Sequence, residues 1–224
     1  MLLLLLDVDG TLFLTDDPLV GEATAEAARE VWGIELASDC LAQPAHEGAL
    51  ALGQARALAR QAGVPEPGID AGLPRWCALH AELYVARLAK TDTSGWRAAE
   101  NAETTLAELE SHAHLALLTG NAEPIARARM ERLGLARFFP AGQGAFGCDA
   151  EDRARLIGIA RQRAGGWPAE QTVAVGDTRA DVAGAHKAGI RVVGVHGDAA
   201  ALAGADARIS SLASLPEALS SLSP

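Results

Sequence analysis

The chain opens with a run of leucines that leads directly into an acidic turn: Met1-Leu2-Leu3-Leu4-Leu5-Leu6-Asp7-Val8-Asp9-Gly10-Thr11-Leu12. Such a run predicts a strand that is buried on both faces, as the strands of parallel sheets are. It is too short to span a bilayer, and it lacks the basic segment and the small-residue cleavage site of a secretory signal. We therefore expect Asp7 and Asp9 at the carboxyl end of a buried strand.

Two carboxylates at this position predict a ligand site, because ligands of open α/β sheets gather at the carboxyl ends of the strands. At roughly 4 Å and an effective dielectric constant near 20, repulsion between the two carboxylates costs about 4 kcal/mol. A divalent cation or a shared proton must offset that cost. An Asp-Gly turn that merely ends a strand is the simpler alternative.

Short apolar runs alternate with amphipathic segments along the rest of the chain. The further strand candidates are residues 115–118, 172–175 and 190–195, and helical patterns cover 101–111, 124–133, 152–164 and 180–188. Gly134 and Gly189 follow two of these helices, where a left-handed residue is expected to end a helix. The alternation predicts an α/β, doubly wound, parallel-sheet (Rossmann-like) core.

Residues 15–93 interrupt this alternation. The segment has no convincing strand and shows helical periodicity over 20–32, 48–62 and 73–90. A crossover between neighbouring parallel strands needs only one helix, so we expect an all-α cap domain inserted after the first strand. The predicted division is a core of 1–14 and 94–224 with a helical cap of 15–93, called the cap segment below.

Two more motifs follow predicted strands. Thr119, Gly120 and Asn121 come before a helix that starts near Pro124, a geometry that favours anion binding at the helix N-terminus, although Thr and Asn also cap helices routinely. Asp177 ends a further strand, and Asp181 lies one helical turn later on the same face. Such carboxylates suit a hard cation such as Mg²⁺, or they simply complement the helix dipole.

In this order the three motifs resemble the haloacid dehalogenase-like (HAD) superfamily, most closely its phosphoglycolate-phosphatase-like members with a helical cap. The resemblance covers nearly the whole chain. It implies that Asp7 attacks phosphorus to form an aspartyl-phosphate. Asp9 would protonate the leaving group and then deprotonate the hydrolytic water, and Thr119 would hold a phosphoryl oxygen.

The resemblance also implies a Mg²⁺ site made by Asp7, the backbone carbonyl of Asp9, Asp177 and Asp181, the last directly or through water. The chemistry agrees with these roles, since phosphate monoester hydrolysis needs up to about 10²¹-fold acceleration. A covalent nucleophile divides the reaction into two steps, and a metal offsets charge on the phosphoryl oxygens. Expelling halide needs no proton donor, so Asp9 favours an oxygen leaving group.

One element of the superfamily pattern is absent from the sequence, namely the lysine that usually precedes the second acidic motif. The chain has two lysines. Lys90 ends the cap segment, and Lys187 lies about ten helical residues after Asp177, or about 15 Å along the axis.

An arginine is the better candidate for the missing cation. Asp149 and Asp152 have the spacing of a capping-box-like helix start, which places Arg153 in the first turn. A cation there opposes the helix dipole, and arginine can bind phosphate as a fixed fork. Arg155 is the fallback, and a surface arginine is the structural alternative.

The cap segment offers five polar or aromatic candidates for substrate contact, although each type is individually more typical of a surface or core position. They are His46, Arg56, Arg75, Trp76 and His80.

Composition limits the partners and the compartment. The formal net charge of −10 and the lack of a basic run exclude a typical nucleic-acid partner. We expect a small phosphorylated metabolite, no membrane, and a monomer or homodimer. Cys40, Cys77 and Cys148 are odd in number and far apart, which predicts reduced thiols in the cytoplasm.

The prediction is therefore a Mg²⁺-dependent phosphatase. A phosphosugar mutase or a phosphonate hydrolase of the same fold would also use Asp7, and phosphonate chemistry normally adds a cap lysine, for which Lys90 is the candidate. A receiver domain is disfavoured by the long insertion after the first strand. A catalytically silent phospho-ligand-binding protein is the remaining alternative.

Overall fold

The computed structural model describes residues 1–41 and 48–222. Within them the strands are β1 (Leu2–Leu6), β2 (Ala113–Leu117), β3 (Thr172–Gly176), β4 (Arg191–Val195) and β5 (Ala207–Ile209). The helices are α1 (Leu19–Trp32), α2 (Ala51–Gln61), α3 (Glu66–Leu88), α4 (Ala102–Leu109), α5 (Glu123–Arg132), α6 (Arg153–Arg163), α7 (Arg179–Lys187) and α8 (Leu215–Ser221).

The strands form one parallel sheet in the order β2-β1-β3-β4-β5. The leucine strand β1 lies inside the sheet, between β2 and β3, and its side chains alternate between two cores. Leu4 and Leu6 pack into the core that includes α4, α5 and α8, whereas Leu3 and Leu5 pack into the core formed with α6 and α7. This two-sided burial explains why β1 is a continuous apolar run.

The register of the sheet brings the three acidic or polar motifs to one edge. Leu6 pairs with Leu117 of β2 and with Val175 of β3. The residues that follow these three strands therefore leave the sheet side by side, at the edge where ligands of doubly wound sheets bind.

The cap segment holds α1, α2 and α3, and its described part contains no strand. These helices bury a small core of their own, which includes Ala27, Ala55, Ile69 and Trp76. The predicted fold class, a doubly wound parallel core with an inserted all-α cap, is confirmed. The boundaries 1–14, 15–93 and 94–224 stay a prediction.

The predicted strands and helices are all present, with small shifts at their ends. Helix α3 is the exception, because it begins at Glu66 rather than near residue 73 and continues through Pro74. Proline and glycine in this stretch argue against a helix locally, but burial of Ile69 and Leu73 outweighs that preference. The short elements β5 and α8 were not predicted.

The expectation of reduced cysteines is wrong for two of the three. Cys77 of α3 forms a disulfide with Cys148, which lies in the loop before α6, and Cys40 is free. Spacing along the chain could not reveal this pairing, because the two residues are 71 positions apart. The cytoplasmic location stays a prediction. Among the described helices, none is both long and apolar enough to cross a membrane.

Candidate active site

A cavity of about 530 Å³ lies at the carboxyl edge of the sheet, between the core and the cap segment. The core contributes Asp7, Asp9, Gly10, Thr119, Gly120, Asn121, Arg129, Arg153, Asp177 and Thr178 to its wall. The cap segment contributes Asp16, Val20, Leu41, Gly48, Ala49 and Gln54. The predicted site residues thus meet in one place, except that Asp181 lies behind the wall.

Three carboxylates form the centre of the site. Asp7, Asp177 and Asp181 each offer an oxygen, and these oxygens lie within 4.8 Å of one another. Asp7 is 6% exposed and its backbone N–H donates to Val175 O, which fixes it at the end of β1. Burial, then the Asp181 carboxylate, raises the pKa of Asp7 well above its usual range. A cation bound beside Asp7 would favour the ionised form of its carboxyl.

Asp177 reaches the cluster by packing against Gly10. A β-carbon on Gly10 would lie 2.0 Å from a carboxylate oxygen of Asp177, and Gly10 has a φ of +72° that also favours glycine. The Thr11 hydroxyl donates to Asp177 Oδ1 at 3.2 Å. Burial, then Asp181, raises the pKa of Asp177 to about 7.

Asp181 is held by its own helix. It forms a capping box with Thr178, whose backbone N–H and hydroxyl both donate to Asp181 Oδ2, at 2.9 and 2.6 Å. The other oxygen, Oδ1, accepts from Arg153. Both oxygens of Asp181 already accept hydrogen bonds. Asp181 is therefore better placed to add negative charge behind the site than to coordinate a metal directly.

Arg153, the arginine predicted to supply the missing cation, lies in the wall of the cavity. It is the first residue of α6, whose N-cap, Asp152, accepts from the backbone N–H of Arg155 at 2.9 Å. The side chain is buried and crosses α7 at Gly184, where a β-carbon would come within 2.7 Å of its stem. Burial alone would lower the pKa of Arg153, but the carboxylates of Asp181 and Asp7 raise it, so the side chain stays charged.

Arg153 also contacts the cap segment, because its Nη2 donates to Gly48 O at 3.2 Å. Its Nε is buried and has no hydrogen-bond partner within the part of the chain that the structure describes.

The other candidates for the missing cation lie outside the site. Arg155 and Lys90 are exposed and outside the cavity wall, and Lys187 pairs with Asp152.

Asp9 points in a different direction from Asp7. Its side chain is 53% exposed, and Arg129 Nη1 donates to Asp9 Oδ1 at 2.6 Å. Asn121 Nδ2 donates to the other oxygen, Oδ2. Asp9 is therefore oriented by two donors while keeping a face toward the cavity.

Thr119 is fully buried at the end of β2. Its backbone N–H donates to Ala145 O at 3.2 Å, which holds the loop. Its hydroxyl oxygen accepts from the backbone N–H and the side-chain amide of Asn121, at 3.3 and 3.1 Å. Because the oxygen accepts in both contacts, the hydroxyl proton is left for an acceptor in the cavity.

Comparison with known proteins identifies the family of the chain. The chain matches the haloacid dehalogenase-like hydrolase family over residues 1–189. It belongs to that family. No curated protein sequence matches significantly.

Solved structures similar to this HAD-like hydrolase span nearly its whole length. Clostridium difficile β-phosphoglucomutase is 15% identical with a TM-score of 0.68, covering 99% of this chain and 98% of the other. CbbY from Rhodobacter sphaeroides, solved with phosphate, is 21% identical with a TM-score of 0.68 and 96% coverage of both chains. A predicted phosphoglycolate phosphatase from Haemophilus somnus 129pt is 19% identical with a TM-score of 0.61 and 96% coverage of both. At these identities the likeness shows the fold.

Four of the five cap candidates lie among the described residues, and none of these four lines the cavity. Arg56 forms ion pairs with Glu66, Asp70 and Glu151. Arg75 is exposed, and Trp76 and His80 are buried and stacked on each other, with ring centroids 4.6 Å apart. His46 lies outside the described residues. The chemistry of a cap residue does not show whether it lines the cavity, because the cavity wall depends on which helix faces the core.

Arg129 of α5 is the site residue that sequence reasoning missed. It is 2% exposed and shares the buried face of α5 with Ile125, Ala126 and Met130. That position was the available signal, since a charged residue four places after Ile125 on an apolar face needs a buried partner. Burial lowers the pKa of Arg129, but the nearby Asp9, Tyr84 and Asp17 raise it overall, so it remains a cation.

Proposed function

We propose that this HAD-like hydrolase is a Mg²⁺-dependent phosphatase. Its substrate would be a small phosphate monoester, phosphoglycolate-like or a sugar phosphate, hydrolysed through an aspartyl-phosphate on Asp7. The observation that carries the proposal is the juxtaposition of the Asp7, Asp177 and Asp181 carboxylates, within 4.8 Å, with the buried cation Arg153. Such a cluster fits a hard divalent cation and a phosphoryl group together.

The donor set fits Mg²⁺, which prefers oxygen ligands and binds proteins through one or two carboxylates. Asp7 and Asp177 would hold the ion, with the Asp9 backbone carbonyl as a third ligand and Asp181 behind them. When bound, Mg²⁺ would offset the repulsion between the nucleophile and the phosphoryl oxygens. The raised pKa values of Asp7 and Asp177 in the metal-free site support a need for that charge.

The residues of the chain would then divide the chemistry. Asp7 attacks phosphorus and forms an acyl phosphate, while Asp9 gives a proton to the departing ester oxygen. Asp9 next takes a proton from water, which attacks the same phosphorus, releases inorganic phosphate and regenerates Asp7. The Thr119 hydroxyl and the Arg153 guanidinium hold phosphoryl oxygens, where negative charge accumulates.

A phosphatase is favoured over the phosphonate hydrolase, because Lys90 is exposed and does not line the cavity. A phosphosugar mutase remains the second candidate, since one matched structure is titled β-phosphoglucomutase. A mutase releases no net phosphate, so phosphate release distinguishes the two. A silent phospho-ligand-binding protein would bind phosphate without turnover.

The test is the Asp7→Asn variant in a phosphate-release assay with a panel of phosphorylated metabolites and Mg²⁺. An amide attacks phosphorus poorly, so we expect loss of turnover with the fold intact by circular dichroism. The wild type should form an acid-stable phosphoprotein that the variant does not form. Turnover of Asp7→Asn within tenfold of wild type would exclude the covalent mechanism.

A further inference from the structure

Arg129 connects the Asp9 carboxylate to the cap segment. Its Nη1 donates to Asp9 Oδ1 at 2.6 Å and to Asn121 Oδ1 at 3.3 Å. Its Nη2 and Nε donate to Asp17 Oδ2 at 2.8 and 3.2 Å, and Nε also reaches the Tyr84 hydroxyl at 3.1 Å. One guanidinium therefore holds a residue of the cavity, a residue of the segment that leads into α1, and a residue of α3.

The surroundings fix the plane of this guanidinium. Its central carbon lies 5.0 Å from the ring centroid of Phe13 and 5.5 Å from that of Tyr84. The Tyr84 hydroxyl donates to Asp17 Oδ2 at 2.6 Å, which closes the network. Arg129 is 2% exposed, so salt screens its contacts with buried partners much less than it screens surface ion pairs.

A purely structural bridge would need only the Arg129–Asp17 pair, in which both side chains are buried. The contact with Asp9 is different, because the Asp9 side chain is 53% exposed and its position is set by hydrogen bonds rather than by packing. Arg129 has no packing reason to hold an exposed carboxylate. The contact instead restricts where the Asp9 oxygens lie relative to the nucleophile.

We propose that Arg129 is a positioning residue that orients the Asp9 carboxyl for proton transfer and ties that orientation to α3 through Asp17 and Tyr84. The inference rests on the proposed function, since it assumes that Asp9 serves the leaving group. Proton-transfer catalysis requires the donor within hydrogen-bond reach of the departing oxygen. A carboxyl that rotates freely reaches that oxygen only part of the time.

The leaving group provides a readout that a structural role would not change. An alkyl phosphate needs its ester oxygen protonated as it departs, whereas p-nitrophenolate is a stable anion that leaves without a proton. The value of kcat/KM reports the first step, in which the leaving group departs. The variant should therefore lose much more kcat/KM on an alkyl phosphate than on p-nitrophenyl phosphate.

The experiment compares wild type and Arg129→Ala on the best alkyl phosphate from a metabolite screen and on p-nitrophenyl phosphate. General acid catalysis contributes roughly 10²–10⁴-fold, so we expect a loss of about 10²-fold or more on the alkyl ester and less than about 10-fold on the aryl ester. Arg129→Lys should restore part of the loss, because one ammonium cannot hold Asp9 and Asp17 together. Tyr84→Phe should shift the ratio in the same direction by a smaller factor.

Arg129→Ala leaves the buried Asp17 carboxylate without its cation and can destabilise the fold. The double variant Arg129→Met/Asp17→Asn removes both charges and should show the same unequal loss. Arg132→Ala is the matched control, because Arg132 lies on the same helix and donates to Leu88 O of α3 at 3.3 Å, away from Asp9. Arg132→Ala should change kcat/KM for the two substrates by the same factor.

Equal losses on the two esters in an active enzyme, or no loss, would overturn the positioning role alone. A Tyr84→Phe variant with an unchanged ratio would overturn the link to α3. A wild type that hydrolyses neither ester would overturn the proposed function and this inference together.

Discussion

Removing the Cys77–Cys148 disulfide should lower the free energy of unfolding by about 4 kcal/mol. The bond joins positions 71 residues apart, and closing a loop of that length in the unfolded chain costs about 15 cal/mol/K of entropy in the chain-entropy description. Without the bond the unfolded ensemble regains this freedom, whereas the folded chain keeps its packing. For a chain of this size the loss corresponds to a decrease in Tm of roughly 10 °C.

The location of the bond adds a second consequence. Cys77 belongs to α3 of the cap segment, and Cys148 lies five residues before Arg153, in the core loop that leads into α6. The disulfide therefore joins the cap helices to the loop that leads into Arg153. We expect amide hydrogen exchange in α3 to be faster in the reduced protein than in the oxidised protein, because reduction removes the covalent attachment of α3.

The assay is denaturant unfolding of the oxidised wild type and of a Cys77→Ser/Cys148→Ser double variant, monitored by circular dichroism. Both cysteines are changed together so that neither thiol is left to form another bond. Cys40→Ser is the matched control, because Cys40 is free, and it should unfold like wild type. Dithiothreitol should destabilise wild type and Cys40→Ser but leave the double variant unchanged.

Two results would refute this reasoning. Equal free energies of unfolding for wild type and the double variant would mean that the bond does not constrain the unfolded chain. Alkylation of all three cysteines in the native, unreduced protein, measured by mass spectrometry, would mean that the bond is not formed.

Two further predictions concern charge in the site. In the metal-free protein the pKa of Asp177 is raised from 3.8 to about 7, so the stability that its protonated form contributes is present near pH 4 and is lost as pH rises through about 7. The increase in Tm on adding Mg²⁺ should therefore be larger at about pH 8 than at about pH 5. An equal increase at both pH values would contradict this prediction. Arg153→Ala should lower kcat/KM by roughly 10²-fold, and Arg153→Lys should recover part of that loss. Arg155 is exposed, so Arg155→Ala should keep the kcat/KM of wild type. An unchanged kcat/KM in Arg153→Ala would mean that another group supplies the positive charge.

The fold and the acidic centre were accessible from the sequence because their signals are local. Five leucines before Asp7 already fix a buried strand and the end from which the carboxylate projects. The position of Arg153 was also local, since Asp152 marks the helix start one residue earlier. In a parallel sheet these strand ends converge without further information, so predicting the strands predicts the cluster.

The features that sequence reasoning missed depend on contacts between distant residues. Arg129 meets Asp17 across 112 residues, and Cys77 meets Cys148 across 71. The apolar neighbours of Arg129 on α5 indicate that it needs a buried partner, but they do not identify Asp17 as that partner. Nothing near Cys77 or Cys148 in the sequence distinguishes a bonded cysteine from a free one. The cavity wall of the cap segment is similar, because it depends on how α1 and α2 are oriented over the sheet rather than on residue type.

The two buried arginines explain how an acidic chain can keep four carboxylates, Asp7, Asp9, Asp177 and Asp181, around one cavity. The two arginines pair with different carboxylates: Arg153 with Asp181, and Arg129 with Asp9. Both also bond to the cap segment, Arg153 through Gly48 O and Arg129 through Asp17. A guanidinium can do this because it presents several donors in one plane, whereas a single ammonium is a point charge. In the proposed site, arginine at position 153 therefore supplies a charge and a second contact at the same position.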